Sequence, residues 1–61
     1  MISYELNEVV RTKDIARVLK AHYVPYYIKN ERIFADDMTG TNTYEDLTGY
    51  TLQALRDWLG Y

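Results

Sequence analysis

The chain has 61 residues, seven basic against nine acidic side chains for a net charge of −2, and a single histidine, a single serine and no cysteine. That inventory describes one domain, residues 1–61, with no room for a dinucleotide-binding unit, no thiols for a disulfide or a cysteine zinc site, and one Ser3 and one His22 as the whole Ser-His repertoire, so no catalytic residues are expected. An apolar share of 48% is too high for a disordered tail, the mildly acidic balance lacks the surplus of a general nucleic-acid binder, and no run of about 18 apolar residues is present to cross a membrane.

Ile2, Tyr4 and Leu6 alternate with Ser3 and Glu5, the period of a half-buried strand. Nothing in Met1-Ile2-Ser3-Tyr4-Glu5 has the basic-then-apolar order of a signal peptide, and with no cysteine in the chain the expected compartment is cytoplasmic. Thr12 then reads as a helix N-cap with Asp14 in the first turn. Ile15, Val18, Leu19 and His22 recur at i, i+3, i+4 and i+7, while Lys13, Arg17 and Lys20 fall outside that stripe. This spacing predicts an amphipathic helix over 13–22. At its end, His22 is expected to meet the last carbonyls.

Tyr23-Val24-Pro25-Tyr26-Tyr27-Ile28 is rich in strand formers, and Ile33-Phe34-Ala35 resumes the apolar character after Lys29-Asn30-Glu31-Arg32. A β-hairpin with Asn30-Glu31 at its tip places Ile28 opposite Ile33 and Tyr27 opposite Phe34, while glutamate, poor at the second tip position, leaves a longer loop open. Pro25 lacks a donor, which places the first hairpin strand at a sheet edge or restricts pairing to beyond it. Beyond it, the polar stretch 36–49 is the only linker, and Thr43-Tyr44-Glu45-Asp46-Leu47 reads as a single helical turn capped by Thr43. Thr51 caps a last helix in which Leu52, Leu55 and Leu59 share a stripe flanked by Trp58, and Gly60 terminates it.

The expected fold is therefore α+β, a small two-layer βαββα domain. Two amphipathic helices pack against a short antiparallel sheet with a central β-hairpin. Its first strand rests beside the hairpin to make three. An exposed edge of such a sheet leaves a homodimer open.

The candidate sites follow from that layout. Asp36, Asp37, Glu45 and Asp46 bracket a Thr-rich loop, but the spacing from Asp37 puts Thr39 and Thr41 at the alternate positions and Asn42 where a calcium loop needs glycine. Neither a metal nor a cofactor is expected. With Val24, Tyr26, Ile28, Ile33 and Ala35 facing the helices, Tyr23, Tyr27 and Phe34 share the opposite face with Lys29 and Arg32. Tyrosine supplies seven of the nine aromatic rings and serves cores and interfaces alike. Tyr23, Tyr27, Lys29, Arg32 and Phe34 are the expected partner contacts.

Thr12-Lys13-Asp14-Ile15-Ala16-Arg17-Val18-Leu19 resembles the first helix of helix-turn-helix or excisionase-type DNA binders over about ten residues. The recognition helix those proteins need has its place taken by the strand-forming segment from Tyr23 to Ile28. The stretch from that helix through the hairpin also resembles half of a ferredoxin-like domain. The expected function is a non-enzymatic interaction module, an accessory or regulatory protein of phage or mobile-element type that docks on a larger protein. The alternative is a DNA-binding regulator using helix 13–22 and the basic hairpin tip.

Overall fold

The structure is a computed structural model and describes residues 4–60. The stripe of Ile15, Val18 and Leu19 winds Thr12–Ala21 into helix α1, with Ile15 and Leu19 fully buried. Thr12 is its first helical residue and not its cap. Arg11 holds the N-cap position in extended backbone, and no side chain caps the helix. Tyr4 braces that first turn, donating its hydroxyl to Asp14 Oδ2 at 2.6 Å and accepting from the Arg11 N–H at 3.4 Å. The bond to a carboxylate raises the Tyr4 hydroxyl above its ordinary pKa, because a phenolate there would lose the bond and face a like charge.

At its other end α1 closes in a Schellman turn. The Tyr23 N–H donates to the Lys20 carbonyl at 3.1 Å and the Val24 N–H to the Leu19 carbonyl at 2.9 Å. Val24 thereby enters the core beside Leu19. The turn requires a left-handed residue at Tyr23, where φ is +58°.

Strands β1 (Tyr26–Lys29) and β2 (Arg32–Asp36) form the expected hairpin, with Ile28 opposite Ile33 and Tyr27 opposite Phe34. Asn30 and Glu31 alone make its tip, both at positive φ, 52° and 64°, as a mirror-image turn matched to strand twist demands. The third strand is β3 (Tyr44–Asp46), and the sheet runs β1-β2-β3, antiparallel throughout. This corrects the helical turn expected around Thr43–Leu47. Ile33 and Ala35 are fully buried, so the backbone groups that β2 turns away from the hairpin cannot be left to water. Leu47 donates its N–H to the Ile33 carbonyl and Thr48 Oγ1 accepts the Ile33 N–H, which draws the chain alongside β2. That tertiary demand outweighs a local capping signal.

The first expected strand, residues 2–6, lies partly outside the described residues, and Tyr4 to Leu6 take no strand conformation. The segment pairs elsewhere. Val9 bridges Thr51, and the Val10 N–H donates to the Tyr50 carbonyl at 2.9 Å. Helix α2 (Leu52–Leu59) starts under this segment: Leu52 N–H reaches the Glu8 carbonyl, Gln53 N–H the Leu6 carbonyl, and Ala54 N–H the Thr51 hydroxyl at 3.1 Å. Three donors that a helix start leaves unpaired are thus satisfied. Gly60, left-handed at φ +93°, ends the helix as expected.

The core gathers Val10, Ile15, Leu19, Val24, Ile33, Ala35, Leu47 and Leu55 into one cluster. Both helices contribute to it, and Ile33 and Ala35 are its strand residues, so both helices lie on one face of the sheet. No helix among the described residues is long and apolar enough to cross a membrane.

Glu31 occupies a backbone region that costs an L-residue roughly 1–2 kcal/mol. Glycine adopts it freely but loses more chain entropy on folding. Glu31→Gly should therefore raise stability by roughly 0.5–1 kcal/mol, a shift of a few degrees in Tm for a chain of this size. In urea denaturation the midpoint should rise with the slope unchanged.

Candidate functional site

Alternation along the strands sends Tyr27 and Lys29, Arg32, Phe34 and Asp36, and Tyr44 and Asp46 to the face away from the helices. There Tyr27 stacks on Phe34, ring centroids 5.0 Å apart and 18° between planes. Tyr44 leans across β2 to pack on Tyr27 at 5.1 Å and 58°. After this mutual packing Tyr27 still keeps 45% of its surface exposed and Tyr44 39%, while Phe34 is half-buried between them. Among the described residues the single core lies on the other side of the sheet, and no helix covers these rings.

Charges border the rings in balance. Arg32 Nε donates to Asp46 Oδ2 at 2.7 Å, and Lys29 and Asp36 stand at opposite corners. Asp46 also accepts the Thr48 N–H at 2.9 Å. Bonds from the Thr48 side chain and backbone, and then from Arg32, hold the Asp46 carboxyl below the ordinary aspartate range. Two cations meet two carboxylates on this face, so it carries no net field toward phosphate.

Four of the five expected contact residues, Tyr27, Lys29, Arg32 and Phe34, come together here. Tyr23 does not join them. It sits at the α1 turn, three residues before β1 begins, and is 91% exposed. Tyr44 belongs to the ring cluster and escaped the sequence reading. No local pattern marks Tyr44-Glu45-Asp46 as a strand, and the resemblance of Thr43 to a cap points to a helical turn instead. Tyr26 and Ile28, expected toward the helices, do lie on that face, but the helix layer stops short of β1, and all four residues of β1 are exposed.

The basic residues divide between two surfaces. Lys13, Arg17 and Lys20 are exposed on the side of α1 opposite Ile15 and Leu19, on the outside of the helix layer. Lys29 and Arg32 lie on the outside of the sheet layer. The two sets are separated by the thickness of the molecule.

The remaining candidates are satisfied locally. His22 is the C-cap of α1, with Nδ1 3.1 Å from the Val18 carbonyl. Asp36 accepts the Met38 N–H, Asp37 the Thr39 N–H and hydroxyl, and Glu45 the Tyr50 hydroxyl. Among the described residues no three His, Cys, Asp or Glu side chains are grouped to hold a metal ion. A partly open groove of about 350 Å³ runs between the end of α1 and α2, lined by His22, Val24, Asp37, Met38, Trp58 and Leu59. Compared with protein-family models, curated proteins and solved structures, the chain matches none.

The bonds to Asp46 fix a pH response. A carboxyl held low in the folded state favours folding above the ordinary aspartate pKa, and that contribution fades as pH falls through the folded value. An NMR titration should place the Asp46 midpoint below that of a free aspartate. Thr48→Ala and Arg32→Ala should each move it up.

Proposed function

We propose that the protein is a non-enzymatic docking module that binds another protein through the open face of its sheet. The observation that carries this reading is the gathering of Tyr27, Phe34 and Tyr44 into one exposed cluster on a face that no helix among the described residues covers. Water-exposed stacked rings beside an arginine have the composition of an interface centre, and burying them against a partner removes from water apolar area that the monomer leaves exposed. The balance of Lys29 and Arg32 against Asp36 and Asp46 favours a protein partner over nucleic acid, whose affinity comes mainly from net positive charge.

Tyr23 adds a second argument. A tyrosine in a left-handed turn costs conformational energy, and at 91% exposure it recovers none of it through packing within the chain. Residues held at such a cost cluster at functional sites. We assign Tyr23 to the rim of the same partner's footprint, where its ring provides contact area with few torsions to fix.

Affinity capture from the native host should compare the tagged wild type with Tyr27→Ser/Tyr44→Ser. Both side chains lie outside the core, so circular dichroism should report both proteins folded while only the wild type retains its partner. Equal retention by the two would overturn the proposal, as would retardation of duplex DNA that falls steeply with salt. Tyr23→Gly separates the two roles of that residue. Its thermal midpoint should rise by a few degrees, corresponding to roughly 0.5–1 kcal/mol, while retention of the captured partner falls.

A further inference from the structure

The hydrogen-bond phase of the hairpin determines which groups face outward from β1. The Asp36 N–H donates to the Pro25 carbonyl at 2.9 Å, so Pro25 and Asp36 occupy a bonded position in the ladder. Bonded positions alternate, so Tyr27 and Lys29 direct their backbone groups to β2 while Tyr26 and Ile28 direct theirs to the open edge. No other described residue pairs with them. The missing N–H of Pro25 lies on the β2 side, so this proline does not spoil the outer edge. Side chains agree with the backbone: Tyr26 is 36% exposed and Ile28 51%, both on the helix-side face, and Tyr27 emerges on the other. A strand with three apolar residues exposed on two faces is an unfinished edge. By contrast, Glu45 and Asp46 place two adjacent carboxylates on the three-residue β3, which guards the opposite edge.

We infer that the occupant of this edge is a second copy of the chain, joined through antiparallel pairing of β1 with its symmetry mate. This rests on the same uncovered sheet as the docking proposal but uses its edge instead of its ring-bearing face. One register satisfies every outward group: Tyr26 opposite Ile28 of the second copy and Ile28 opposite its Tyr26, with the two-fold axis between the two Tyr27 residues. Four backbone hydrogen bonds form. The ladder stops there because the Val24 N–H is already committed to Leu19. The same operation pairs each exposed Tyr26 with an exposed Ile28, an aromatic with a β-branched side chain, and sets the two Tyr27 rings side by side. A strand whose own residues complement one another under a two-fold fits a self-complementary contact better than an arbitrary extended peptide. The axis is normal to the sheet, so all helices stay on one side and the two ring clusters join into one platform. An interface this narrow gives a concentration-dependent dimer.

Sedimentation equilibrium from about 10 μM to 1 mM should show wild type passing from monomer to dimer, and Ile28→Lys should weaken the association at least about tenfold. Ile28 is on the helix-side face, so this variant leaves the Tyr27–Phe34–Tyr44 cluster intact and should still capture the docking partner. Oxidative crosslinking gives an independent readout because the chain has no cysteine of its own. Tyr27→Cys places two thiols at a non-bonded antiparallel position with Cβ atoms about 4.5–5.5 Å apart, and it should give a disulfide dimer rapidly. Lys29→Cys separates them by about 13 Å along the strand and should not. A wild type that stays monomeric across the range overturns the inference. So does a dimer that survives Ile28→Lys, or one that crosslinks as readily through Lys29→Cys.

Discussion

The structure depends on a core that can be built on only one face of the sheet. Among the described residues eight buried side chains form that core, and both helices spend their apolar stripes on the same cluster. β2 is where that limitation is felt, because it alone has a neighbouring strand on each side. Its alternation sends Ile33 and Ala35 inward to full burial and leaves Arg32, Phe34 and Asp36 outward. A third layer would have covered Phe34 and its neighbours, but among the described residues both helices lie on the other face. The uncovered rings are therefore a consequence of where the helices pack as much as of sequence. What the sequence chooses is their identity: three aromatics where an ordinary solvent face would carry threonine and lysine.

Legibility in the sequence follows from how local each signal is. The hairpin register was readable because Ile28–Ile33 and Tyr27–Phe34 are fixed by a two-residue turn and a period of two. Both helices were readable from stripes that repeat within ten residues, and the Thr51 cap and Gly60 stop lie next to the helix they bound. β3 was not, because nothing local makes Tyr44-Glu45-Asp46 a strand; its pairing is imposed by Ile33 and Ala35, some ten residues away. The N-terminal segment failed for the same reason. Its alternation of Tyr4 and Leu6 is real, yet the partners it finds are the free donors at the start of α2, more than forty residues on. Of the site, the Tyr27–Phe34 pair was legible through the hairpin and Tyr44 was not, since its membership depends on β3.

Conformational cost is distributed unevenly. Among the described residues five non-glycine positions have positive φ, and two of them, Asn30 and Asn42, are asparagines, which tolerate that region. Tyr23, Glu31 and Met38 have no such excuse. Glu31 is explained by the hairpin, which needs a left-handed residue there whatever its side chain. Tyr23 differs, because the Schellman turn asks for glycine and the ring contributes nothing to the fold. Under the docking proposal, a strained and exposed Tyr23 is stability exchanged for a contact surface.

The two outer surfaces differ in chemistry because they have different structural duties. On the helix side, Lys13, Arg17 and Lys20 project from a helix whose inner stripe already secures it, with Arg17 3.6 Å from Asp14, so their charges act chiefly through the long-range field. On the sheet side, Arg32, Asp46 and Thr48 are bound into the end of the β2–β3 ladder and help hold the strands on which the rings stand. Altering a charge on α1 is therefore a change in field, whereas altering Asp46 also loosens the platform. That coupling makes the sheet face a poor place for a freely evolving charged patch and a good one for a fixed apolar contact. Joining two copies through β1 would extend the same logic: the edge strand gains a neighbour, the rings gain area toward what a stable interface requires, and neither gain asks the monomer for a larger core.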